Sequence, residues 1–215
     1  MSTDTGSRQS LWQHRITVAL TRFMRLFSAH WLLIANLALA LYIGLPFLAP
    51  VLMRADHTLG AKIIYSVFRP LCHQMPERSY FLFGERLTWS LEALNSHLGS
   101  LAPRRFVGNA VTGYKVAVCQ RCVAIYGTML LCGLLFGLVR TRVEPLSIKG
   151  FIALLVPMGI DGMGQLLHLW SSTPFTRTLT GALFGLACIW LAFPYLQTGM
   201  AEINRETSKT IKEWQ

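Results

Sequence analysis

Apolar positions gather into four stretches of membrane-spanning length, separated by segments in which polar and basic residues return. A bilayer core of about 30 Å takes about 20 apolar residues in a helix. Trp31 to about Met53 contains no charged residue, and a second stretch runs from near Val118 to Arg140. Gly150 to Trp170 forms the third, interrupted by Pro157, Asp161 and His168, and Leu179 to Gln197 the fourth. The pattern therefore predicts an all-α membrane protein: four transmembrane helices with a long extracytoplasmic loop, residues 54–117, folded back on the bundle.

Three regions follow. Residues 1–30 are a basic lead-in, residues 31–198 the membrane domain, and residues 199–215 a tail. In the lead-in, Trp12, Ile16, Ala19, Phe23 and Phe27 recur at helical spacing beside Arg15, Arg22 and Arg25, which suits a helix lying along the membrane. The alternative for its first ten residues is a partly disordered tail. Long polar flanks before the first apolar run do not resemble a secretory signal.

Within the loop, Leu59, Ile63, Ile64, Val67, Phe68 and Leu71 cluster on one helical face before Pro70. Leu87 to Leu101 reads as a second surface helix, and Pro103, Gly108 and Gly113 as an irregular return to the second span. Gly133 with Gly137, and Gly181 with Gly185, have the spacing of close helix packing.

Composition supports the membrane reading. Of 215 residues, 53% are hydrophobic and 14% charged, and the mean hydropathy is +0.42. Soluble domains carry about 25% charged residues. The net charge of +10 suits anionic headgroups, whereas no recognition motif accompanies it that would point to nucleic acid. With four spans, the lead-in, the turn holding Arg140, Arg142 and Lys149, and the tail with Arg205, Lys209 and Lys212 share one side. The positive-inside rule makes that side cytoplasmic, with both termini there. The eight Lys or Arg of residues 54–117 do not oppose this, because long loops translocate largely regardless of charge.

Candidate chemistry lies where the loop meets the second span. Cys119-Gln120-Arg121-Cys122 has a gap that lets both sulfurs reach one ion or each other, and on a helix Cys119, Cys122 and Tyr126 would share a face. Cys72-His73 supplies a further thiol and an imidazole. Cys72, His73, Cys119 and Cys122 are ligands of the kind zinc takes tetrahedrally, although adjacent residues chelate one ion awkwardly. Two rivals stand beside this: a disulfide or thiol exchange from Cys72 to Cys119 or Cys122, and simple packing of thiols. Cys132 and Cys188, inside apolar spans, read as packing.

Asp161 costs about 2.5–3.5 kcal/mol at mid-membrane, so it must face the bundle or a wet cavity. Pro157, Asp161, Gly164 and His168 fall on one stripe with Gln165 beside it, and Pro157 invites a kink. Asp161 and His168 are thus candidate catalytic groups. Arg177 pairs with Asp161 if packing brings it inward, and otherwise snorkels to headgroups.

Cys72-His73-Gln74 with Pro76-Glu77-Arg78-Ser79 and Phe83-Gly84, then Cys119-Gln120-Arg121-Cys122 with Ile125-Tyr126-Gly127, then Pro157 through Asp161-Gly162 and Gln165 with Arg177 and Thr180-Gly181, resemble three blocks of a family of small prokaryotic membrane proteins known as domain of unknown function 2085. The resemblance covers about Ile63 to Gly185 and implies that the blocks act together, which brings Gln74, Arg78, Arg121, Tyr126, Gln165 and Arg177 into the candidate site. Three function classes are compatible: a structural or binding zinc site, a membrane enzyme (metal-dependent hydrolase or thiol-disulfide oxidoreductase) using the same cysteines with Asp161, and a small transporter or channel with Asp161 on its ion path. The last needs a homo-oligomer, given so few spans.

Overall fold

The first apolar pattern does not stop at its polar lead-in. In the computed structural model, which describes residues 4–140 and 142–214, one helix (α1, Asp4–Arg54) runs through both. The start of the tail reading, residues 1–3, lies outside the described residues. At about 1.5 Å per residue the 51 residues of α1 extend about 77 Å, well beyond a bilayer core. α2 (Thr58–Phe68) follows and ends before Pro70, which has no N–H to carry the helical ladder on. Its apolar residues occupy two faces. Ala61, Tyr65 and Phe68 turn into the core, while Leu59, Ile63 and Val67 form an exposed stripe.

Residues 71–119 hold more regular structure than a loop. After a 3-10 turn at Pro76–Arg78 come β1 (Ser79–Leu82), α3 (Leu91–Leu98), β2 (Gly108–Asn109) and β3 (Gly113–Cys119). The strands form one antiparallel sheet in the order β1-β3-β2. The expected irregular return is thus a strand: Gly113-Tyr-Lys-Val-Ala-Val-Cys119 is rich in residues that suit a pleated surface, and Val116, Ala117 and Val118 are fully buried. β3 packs against α1 and runs directly into α4 (Gln120–Val139).

α5 (Ile148–Leu166) and α6 (Pro174–Glu213) complete the chain. A side chain at Gly181 or Gly185 would meet the carbonyl oxygens of Arg121 or Ile125, so α4 and α6 lie close and run in the same direction. Gly133 faces Asn36 of α1 and Phe193 of α6, whereas Gly137 has only Leu32 in ordinary contact. At the opposite end from the sheet, the start of α1 and the end of α6 lie side by side: the His14 and Trp214 rings stand 6.1 Å apart, and Trp31 Nε1 donates to Gln197 Oε1 at 3.2 Å.

Among the described residues three helices, not four, are long and apolar enough to cross a membrane: those within Trp12–Arg54, Gln120–Val139 and Pro174–Glu213. The correction falls on α5. Lys149, Asp161, Gln165 and four glycines dilute its apolar run, and the helix stops at Leu166, short of the expected Trp170. α5 continues through Pro157 without interruption.

Candidate metal centre

Cys72 reaches the site through a turn that several buried contacts fix. Its N–H donates to Phe68 O at 3.0 Å at the end of α2. Gln74, in the left-handed region at φ 51°, sends its side-chain amide to Tyr65 O at 2.8 Å. Lys115 of β3, only 1% exposed, donates from Nζ to Gln74 O at 2.6 Å, and the Tyr65 hydroxyl donates to Lys115 O. Burial pushes the Lys115 ammonium down from 10.5 to about 8, because a charged group loses hydration there.

On the other side, Cys119 is the residue at which β3 becomes α4. It is the N-cap, with extended backbone, and Cys122 falls in the first helical turn. Cys119 is therefore not one turn down a shared helical face with Cys122 and Tyr126. The sulfurs meet all the same: Cys72, Cys119 and Cys122 present Sγ atoms within 4.8 Å of one another, and Cys119 Sγ lies 3.5 Å from Cys122 Sγ. In a tetrahedral zinc thiolate with bonds of about 2.3 Å, sulfurs stand about 3.8 Å apart, so the spacing fits a soft ion with little movement. The Cys119 N–H donates to Cys72 Sγ at 3.2 Å. The neighbouring Cys119 and Cys122 thiols, with the Gln74 and Cys119 N–H groups, hold the Cys72 thiol well below its ordinary range despite burial. The N-terminus of α4 adds a favourable dipole for negative sulfur. All five cysteines are free, and Cys132 and Cys188 lie on α4 and α6 outside this group.

Beside the sulfurs lies a cavity of about 200 Å³, lined in part by His73, Arg78, Arg121, Gln165 and Arg177. His73 is exposed and is not among the ligand atoms gathered within 4.8 Å. Arg121 pairs with Asp161, which is buried. Arg177 is drawn inward rather than snorkelling, and is 6% exposed. In the amide orientation that satisfies both guanidinium groups, Gln165 Oε1 accepts from Arg177 at 3.2 Å and from Arg78 at 3.1 Å. The structure does not bring His168 to the site: it is exposed beyond the end of α5, with φ 56°. Tyr126 packs its ring on Tyr42 of α1, with centroids 4.2 Å apart.

Sequence reasoning missed Gln120 and Lys115. Gln120 is fully buried, donates to Ser79 O at 3.2 Å and accepts from Arg177 at 3.4 Å, so it ties β1 to α6 behind the thiols. The signal for Lys115 was present as a lone cation inside the apolar run Tyr114 to Val118.

Fold and site together define a helical membrane protein with a sheet-bearing segment clasped to its bundle at three thiols. The family model described as "Predicted membrane protein (DUF2085)" matches residues 108–191, and over that stretch the chain is similar to the family. The matched range contains Cys119, Arg121, Cys122, Asp161, Gln165 and Arg177 and leaves Cys72 outside it. An uncharacterized protein of Methanocaldococcus jannaschii is 28% identical over 134 residues, which cover 61% of this chain and 67% of that protein. No solved structure matches the chain.

Proposed function

We propose that Cys72, Cys119 and Cys122 bind one thiophilic metal ion, zinc by donor chemistry, and that the ion clamps the sheet-bearing segment to α4 on the outer face of the membrane. The convergence of three sulfurs from two distant parts of the chain carries this reading. With three sulfurs bound, the ion would take its fourth ligand from the adjoining cavity: water, an anion, or His73, which lines it. A structural or binding role is favoured over hydrolysis because the expected base is engaged: Asp161 is paired with Arg121, and Gln165 with two arginines. The same pairing leaves the ion-path reading without a free carboxylate.

Elemental mass spectrometry of the full chain, purified in detergent under reducing conditions, tests the proposal. The expected result is about one equivalent of zinc, lost in Cys72→Ser/Cys119→Ser and retained in Cys132→Ser/Cys188→Ser. Absence of metal in the unaltered protein, even after incubation with zinc, overturns it. The 3.5 Å approach of Cys119 and Cys122 sulfurs favours one other use, a dithiol that exchanges with a substrate disulfide. That reading predicts a metal-free protein in which Cys119→Ser or Cys122→Ser traps a mixed disulfide.

A further inference from the structure

A second cavity, of about 260 Å³, shares His73 and Gln74 with the first and is lined by none of the three thiols. Its lining includes Arg69, His73, Arg104, Arg105 and Lys115, and no Asp or Glu. Three arginines, a lysine and an imidazole thus line one small space. Lys115 is buried and spends one donor on Gln74 O, leaving two N–H bonds of its ammonium without a protein partner. The carboxylate within electrostatic reach of Lys115 is Glu77, which sits outside the lining and faces Arg78 at 3.9 Å. Arg104 and Arg105 occupy the middle of a turn closed by Phe106 N–H to Pro103 O at 2.8 Å, so a local backbone bond fixes the turn that carries both residues at the rim.

Like charges brought together without a carboxylate repel one another, and an anion removes that cost. Arginine forks with a lysine beneath them match the geometry of a tetrahedral oxyanion. We infer that the cavity between α2, the Pro103–Phe106 turn and β3 is a binding site for a phosphate group. Its position suggests a source. Arg69 follows directly on the exposed Leu59, Ile63 and Val67 stripe of α2, an apolar surface suited to lipid, which places the rim at headgroup depth. A phospholipid headgroup and free phosphate share this chemistry.

Two arms separate those sources, using the full chain in detergent and the variant Arg104→Ala/Arg105→Ala. Both arginines are exposed, so the variant should retain the thermal midpoint and the thiol reactivity of the unaltered protein. Inorganic phosphate is titrated calorimetrically in one arm. In the other, the protein is incubated with phosphatidylglycerol or phosphatidylcholine and bound lipid is counted by native mass spectrometry. Saturable phosphate binding weakened about tenfold or more in the variant supports the site with a soluble ligand. Selective retention of phosphatidylglycerol, lost in the variant, supports it with a headgroup. Arg69→Ala, on a different element, should reproduce either loss. No binding in both arms, or equal binding by the protein and both variants, overturns the inference.

Discussion

Arg121 pairs with Asp161, joining the first turn of α4 to the second half of α5 one residue before Cys122. Both groups are largely shielded from water, and removing one partner leaves an uncompensated charge at a cost of about 3–5 kcal/mol. Asp161→Asn should therefore lower the thermal midpoint in detergent clearly while leaving metal stoichiometry unchanged. Metal lost together with the midpoint in a still-folded protein would make Asp161 part of the metal shell instead.

Close approach of α4 and α6 depends on Gly181 and Gly185. A leucine at either position would meet a backbone carbonyl of α4, which cannot swing aside as a side chain can. Overpacking of this kind costs about 1–3 kcal/mol or more. Because α4 carries Cys122, Gly181→Leu should also weaken metal retention. Gly137→Ala is the matched control, since its neighbour Leu32 sits at an ordinary 3.6 Å. Thermal unfolding with parallel metal analysis checks both.

The buried Lys115 makes stability depend on alkaline pH. Its folded value of about 8 lies below the ordinary 10.5, so the unfolded chain holds the proton more tightly between those limits. Stability gained from this group therefore rises as pH increases from about 8 toward 10.5, by at most about 3 kcal/mol, and is flat below that window. Subtracting the curve of Lys115→Met removes other titrations. In phosphate-free buffer the difference between the two proteins should show this rise, and a constant difference from pH 7 to 10 would contradict the burial penalty.

Gln120 fills a fully buried position between Ser79 and Arg177. Gln120→Leu retains much of the volume and leaves both partners without their bonds, at about 1–3 kcal/mol for each group stranded. A midpoint unchanged in this variant would show that water replaces the amide.

What could be read from the sequence divides along physical lines. Long apolar runs announce themselves, so α1, α4 and α6 lie where hydropathy places them. α5 misled because length suggested a span while Asp161, Gln165 and the glycines lowered its apolarity. The Cys-x-x-Cys spacing located two thiols and the Cys72 pairing followed from composition, but not the strand-to-helix junction that aims them. Short strands such as β2, two residues long, carry almost no periodic signal. Lys115 and the arginines at residues 69, 104 and 105 are scattered over 47 positions, and only the sheet assembles them.

The unbroken course of α1 joins two distant regions of the molecule. One end touches Trp214 through His14, and near the other Tyr42 and Phe47 pack against the cluster that holds Cys72. Pro46 and Pro50 lie inside the helix near that second end, where the missing N–H groups weaken the backbone ladder. The paired helix ends and the thiol cluster thus share one continuous backbone, and its softest stretch adjoins the thiols.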